Sequence, residues 1–221
     1  MKIRKIIRAV LSVPNTIYVN LKYLPFRTAI MLPLLVSYDT LIYGKGRISI
    51  QKRLRPLSIK IGFFDVETVE KARTKITLHK DGILIMGGET QIGRGCKIFI
   101  SPKAVLSIND NSTISASTNL RVYKRITIGK DCRISWECQI MDNNMHMIEY
   151  EDGSKPNAIK EVFIGNKVWI ASRAMIMMGT VIPDNCIIGC GAIVKGHRFE
   201  ENSIIAGNPA KVVKKIKGWD F

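Results

Sequence analysis

Long apolar runs are missing from this sequence. The longest, Ala29 to Val36, is short and interrupted by Pro33, well under the roughly 18 residues that a membrane-spanning helix needs. The apolar residues that follow Lys2–Arg8 are broken by charge and by Pro14, which does not fit a cleavable export signal. Histidine is scarce: His79, His146 and His197 are the only three in 221 residues. Their spacing offers no close pair, so a three-histidine zinc centre is not expected and no metal site is assigned. Aromatic residues make up only 7% of the chain and are not interleaved with basic ones along its central part. A stacking platform for nucleic acid is therefore not expected. The five cysteines (Cys96, Cys132, Cys138, Cys186 and Cys190) are an odd set with no paired spacing. That argues against a disulfide framework and for a reducing, cytoplasmic setting.

Acids are also few. The chain has 34 Lys and Arg against 18 Asp and Glu, a net +16. The excess is local, because residues 1–60 hold 12 cations and one acid, Asp39, while the other 161 residues carry only +5. A basic excess confined to one end points to a membrane surface or an anionic substrate rather than to general nucleic-acid binding. Near the N-terminus Ile3, Ile6, Ile7, Val10 and Leu11 fit an amphipathic helix, with Lys2, Arg4, Lys5 and Arg8 on its other faces. Peripheral membrane contact through Lys2–Leu11 is one reading of that helix; capping is the other, and is preferred for most of residues 1–60.

The sequence is rich in a repeat. Ile164, Ile170, Ile176, Ile182, Ile188 and Val194 are spaced by six, and Val168, Ala174, Thr180, Cys186 and Ala192 each sit two residues before the next aliphatic. Residues two apart on a strand point the same way. Each unit thus sends one small and one aliphatic side chain inward and then turns. Six residues do not fit a 3.6-residue period, whereas a short strand plus a corner does. Three sides close a coil of 18 residues, which predicts Ile164 stacked on Ile182, Ile170 on Ile188 and Ile176 on Val194, with coils about 4.8 Å apart. This is a parallel β-helix. The rule recurs upstream at Ile128, Ile134 and Ile140, at Ile92 and Ile98, and at Ile108 and Ile114. Four of the five cysteines fall in its small interior slots, so those four are read as small apolar residues. The rungs break at residues 142–161, a polar stretch with Gly153 and Pro156, read as a loop ejected from the coil. The predicted organisation is a basic N-terminal extension over 1–60 capping the coil, a β-helix over 61–205, and a short C-terminal helix and tail over 206–221, starting near Pro209.

The hexapeptide period, the Val168-Trp-Ile-Ala run, the stretch Gly179 to Val194 and the ending Ala206-Gly-Asn-Pro-Ala-Lys211 together resemble the hexapeptide-repeat acyltransferases. The likeness is greatest to galactoside, maltose, xenobiotic and surface-polysaccharide O-acetyltransferases, and it covers about residues 90–215. It implies a left-handed coil, against the usual right-handed crossover preference. It also implies a homotrimer with active sites between subunits, acetyl-CoA as co-substrate, and a saccharide acceptor.

The resemblance places the catalytic histidine at His146. A sugar hydroxyl attacks a thioester poorly unless a base near neutral pKa removes its proton. Two readings stay open for Asp142 and Asn144: orienting the imidazole or the acceptor, or capping and shaping the loop. By resemblance Trp169 walls the pantetheine channel, Ser172 and Cys190 line it, and Lys195, Lys211 and Lys214 face the phosphates and adenine of the coenzyme, where cations have an electrostatic reason to sit. Ala171, Met177-Met178 and Gly196 depart from the family pattern near that channel, and an Asn that family members add from a neighbouring strand has no clear counterpart here, Asn119 being nearest but not assigned. Amino-sugar N-acetylation and a non-catalytic scaffold are the alternatives; a γ-carbonic-anhydrase-like activity lacks its histidines.

Overall fold

A computed structural model describes residues 2–52, 54–70, 72–196 and 198–220, with the side chains of residues 2–5 left out of the description. His197 lies outside the described residues. The chain forms a left-handed parallel β-helix whose three faces hold nine, seven and six strands. Face I runs from Leu34–Val36 to Ala210–Lys215, face II from Leu41–Gly44 to Ile193–Val194, and face III from Arg47–Ile50 to Val181–Ile182.

The stacking follows the repeat. Ile164 pairs with Ile182, Ile170 with Ile188 and Ile176 with Val194, and all six side chains are fully buried. The corners repeat as well. Lys167, Arg173, Gly179, Asn185 and Gly191, each six residues from the next, all have positive φ, and each is followed by a small interior residue. The small slots also join coils. Cys96, Cys132 and Cys138 donate from Sγ to Ser115 O (3.0 Å), Gly165 O (3.0 Å) and Ala171 O (3.2 Å). Ser112 and Thr118 do the same from their hydroxyls to Gly129 O and Ser135 O. A small side chain with one donor satisfies a corner carbonyl of the next coil, so Ser, Thr and Cys interchange there.

Two sequence expectations need correction. The coil begins at Leu34, not at 61, because the early turns are longer: Ile92, Ile114 and Ile134 stack at steps of 22 and 20 residues. Four-residue strands in these turns hide the six-residue period. The C-terminal segment is not a helix. Ala210–Lys215 is a strand antiparallel to Ser203–Gly207, and it pairs the last edge of face I, which would otherwise expose unpaired backbone groups. The expected N-terminal helix is present over Lys2–Leu11.

α1 (Lys2–Leu11), α2 (Val13–Tyr23) and α3 (Phe26–Ala29) precede the coil. α2 covers the opposite open edge with side chains rather than with a strand. Asn20 accepts from Leu34 N (3.2 Å) and donates to Leu34 O (2.9 Å), while Thr16 accepts from Val36 N (3.0 Å) and donates to Val36 O (3.2 Å). The two residues are one helical turn apart and match alternate residues of the edge strand. Arg8 of α1 points inward: it bonds Ser37 Oγ and Gly62 O, pairs with Asp39 and lies over the Phe63 ring. Ile6, Ile7, Val10 and Leu11 face outward, 53–64% exposed. Among the described residues, no helix is long and apolar enough to cross a membrane.

Candidate active site

The ejected loop leaves the corner between faces II and III after Gln139–Met141 and returns at Val162–Ile164. Its stem is a short antiparallel ladder: Asn143 bridges Ile159, Asn144 N donates to Ala158 O (3.0 Å), and Lys160 N donates to Asp142 O (2.9 Å). Asp142 anchors this stem. Its buried carboxylate accepts from the backbone N–H groups of Tyr123 (2.8 Å), Lys124 (2.7 Å) and Arg125 (2.8 Å), and from Asn143 Nδ2 (3.2 Å). Asn144, with its side-chain nitrogen turned inward, donates to Ala158 O (3.1 Å) and to the main-chain carbonyl of His146 (3.0 Å).

Asp142 and Asn144 therefore shape the segment that presents His146, and neither side chain contacts the imidazole. The His146 ring is exposed and has no hydrogen-bond partner among the described residues. Its neighbours Met145, Met147, Ile148 and Tyr150 are exposed as well. A loop that presents this many apolar side chains has a surface for a partner to cover.

The residues assigned to the coenzyme lie elsewhere. Trp169 stands on the outside of face I, donating from Nε1 to Ser135 Oγ (3.3 Å). The C-terminal tail folds back beside it, so that the Trp219 ring lies 6.1 Å from the Trp169 ring and its Nε1 donates to Lys167 O (2.8 Å). Sequence reasoning missed Trp219 because it falls after the repeat has ended; an exposed-type tail carrying a tryptophan was the one available hint. Ser172 and Cys190 meet at the corner between faces I and II, with Oγ and Sγ 3.3 Å apart. Lys211 and Lys214 are exposed on the last strand of face I, whereas Lys195 follows face II at the loop side of the prism.

The structure thus brings together Trp169 with Trp219, and Ser172 with Cys190. It keeps His146 and Lys195 on the II–III corner, across face II from Ser172 and Cys190. Within one protomer, no described hydrogen bond or ring contact links the histidine loop to the Trp169 wall.

The cysteines divide as their positions require. Burial pushes the Cys96 thiol up to about 12 and those of Cys132 and Cys138 to about 11, and it raises Cys186 too. These four thiols stay protonated and inert, while Cys190 is exposed. Among the described residues, no group of three His, Cys, Asp or Glu is placed to hold a metal ion.

No protein-family model matches the chain. It is 28% identical over 147 residues to a protein of Escherichia coli K12 named as a lipopolysaccharide biosynthesis O-acetyl transferase, WbbJ, covering 62% of this chain and 74% of that one. It is 28% identical over 209 residues to the polysialic acid O-acetyltransferase of Neisseria meningitidis, covering 94% and 86%. Among solved structures, the polySia-specific acetyltransferase NeuO superposes with a TM-score of 0.68 at 20% identity, over 84% of this chain and 74% of that one, a likeness of fold.

Proposed function

We propose that this chain, which belongs to the hexapeptide-repeat acyltransferases, moves the acetyl group of acetyl-CoA to a hydroxyl of a sugar in a bacterial surface polysaccharide or its precursor. The relatives named as O-acetyltransferases support the reaction class. The observation that carries the mechanism is the separation just described: the base sits at the II–III corner, whereas Trp169 lies on face I and Ser172 and Cys190 at the I–II corner. A homotrimer would set the II–III corner of one prism against the Trp169 side of the next, so that each cleft holds one His146 and one coenzyme channel. The exposed apolar residues around His146 would then be covered.

In that cleft the imidazole takes the acceptor's hydroxyl proton as the oxygen attacks the thioester carbonyl. The tetrahedral intermediate collapses, the C–S bond breaks, and the proton passes from the imidazolium to the departing thiolate. No covalent enzyme intermediate is required; holding both substrates in one cleft supplies much of the acceleration. Trp169 and Trp219 would flank the pantetheine arm, Ser172 and Cys190 would line it, and Lys211 and Lys214 would meet the phosphates, with Lys195 reaching them from the loop side.

Acetyl-CoA labelled in the acetyl group, offered to hydroxyl-only and amine-bearing saccharides side by side, tests this reading. Ester-linked label is expected on the hydroxyl acceptors, from a protein that sediments as a trimer. Amide-linked label alone would replace it with N-acetylation, and no transfer to any saccharide would leave only a scaffold.

The same proposal extends to location. The outward apolar face of α1, with Lys2, Arg4 and Lys5 in the same helix, suits the interface of an anionic leaflet, where apolar burial and basic attraction act together. Vesicles of phosphatidylglycerol and phosphatidylethanolamine are expected to co-sediment the protein. Deletion of residues 2–11 is expected to release it; sedimentation indifferent to that deletion would end the membrane assignment.

A further inference from the structure

The outer surface of face II holds a groove of about 440 Å³ that runs from Tyr43 up to Met141, at the foot of the histidine loop. Its walls are set by register. One outward column reads Lys75, Lys97, Asn119, Gln139 on successive coils, and a second reads Thr77, Phe99, Arg121, Met141. Successive coils are about 4.8 Å apart, so each column rises roughly 14 Å, longer than a single sugar ring.

The charges in this groove are unbalanced. Lys75 and Lys97 are direct neighbours on adjacent parallel strands, an arrangement that is unfavourable for like charges with nothing between them. The strands of face II carry no Asp or Glu. Among the described residues, no ion pair involves Lys75, Lys97 or Arg121. Cations elsewhere on the prism do find acids: Lys124 and Arg125 meet Glu161, and Arg173 meets Glu137. Beside the charges lies an apolar wall. Phe99 has the His79 ring 4.8 Å away and the Tyr123 ring 5.8 Å away, with the Arg121 guanidinium over its face at 5.7 Å. Arg121 also touches Met145 Sδ (2.9 Å), one residue before His146, which ties the groove to the base.

We propose that this groove binds an acidic saccharide, one bearing carboxylate or phosphate groups along its length, and delivers its hydroxyls to His146. The lysines and the arginine supply the missing counter-charge, the arginine by its two-pronged fit to an oxyanion; Asn119 and Gln139 serve hydroxyls, and the Phe99 wall takes a sugar face. Acceptor class is thus written on face II, on the coils that lead up to the histidine loop. The inference deepens the acetyl-transfer reading and rests on it for the step after binding, but binding itself is measured without catalysis.

The test is titration of the full-length protein, without acetyl-CoA, against an oligogalacturonate of about five residues, a malto-oligosaccharide of equal length, inorganic phosphate and a single-stranded oligonucleotide. The oligogalacturonate is expected to bind most tightly, to weaken as salt rises, and to lose at least about tenfold in affinity in the Lys97→Gln/Arg121→Gln double variant. Lys97 is exposed and pairs with no other side chain, so Lys97→Gln alone serves as a variant that keeps the fold. Equal binding of the neutral oligomer, undiminished binding in both variants, or tighter binding of phosphate or of the oligonucleotide would each overturn the proposal. Because no acetyl transfer is read, a failed transfer assay sinks the enzyme reading without touching this result, and the converse holds too.

Discussion

Replacement of His146 by alanine is expected to lower acetyl transfer by roughly 10²- to 10⁴-fold, the usual contribution of a positioned general base. The KM for acetyl-CoA is expected to stay within about twofold, because the proposed role of the imidazole is toward the acceptor hydroxyl and not toward the coenzyme. His146 is exposed, and its ring has no hydrogen-bond partner among the described residues, so its removal should change stability by no more than about 0.5 kcal/mol. That combination separates chemistry from folding. A loss of turnover at constant melting temperature and constant coenzyme KM is what a base predicts. A variant that keeps its turnover within fivefold would remove His146 from the mechanism, and with it the reason for the loop.

Asp142→Ala is expected to behave in the opposite manner. The carboxylate is buried and holds three backbone N–H groups of the neighbouring corner. Removing it leaves those donors without partners, at about 1–3 kcal/mol each. A total of roughly 3–6 kcal/mol, allowing for relaxation, corresponds to a fall on the order of 10 °C in melting temperature for a chain of this size. Turnover should fall with it, since the stem that presents His146 starts at this residue. Asp142→Asn keeps one oxygen for Lys124 N and Arg125 N but puts an amide nitrogen opposite Tyr123 N, so an intermediate loss is expected in both readouts. A melting temperature unchanged in Asp142→Asn, alongside a collapse of kcat, would instead make this residue a partner of the imidazole. Thermal scans and steady-state kinetics on the same preparations decide between the two.

The two residues show why legibility differs within one loop. His146 was one of only three histidines and fell in the break of a repeat, and the family resemblance placed the base there. Asp142 and Asn144 were equally visible, but their roles depended on which atoms fold back to meet them. Asp142 reaches Tyr123, Lys124 and Arg125, 17–19 residues earlier and one coil below; Asn144 reaches across the stem to Ala158. The groove on face II was less legible still. Lys75, Lys97 and Arg121 are 22 and 24 residues apart in a region whose coils have irregular lengths, so no fixed spacing marks them as neighbours. Register alone brings them into two adjacent columns.

The ends of the prism teach the same lesson. That both needed covering followed from the physics of open strand edges. The devices used were Asn20 and Thr16 acting as surrogate backbone at one end and an added antiparallel strand at the other. Local pattern favoured a helix after Pro209, and the unpaired edge of face I outweighed it.

The six-residue alternation by itself determined the coil, its interior, the fate of four cysteines and the place of the ejected loop, because an interior that admits one aliphatic and one small side chain per side leaves no other arrangement. Only the tertiary structure decided where the coil begins, which way the first helix faces, and which charges share a surface. Those properties arise from contacts between residues some twenty or more positions apart, and a one-dimensional period carries no information about partners whose spacing is not constant.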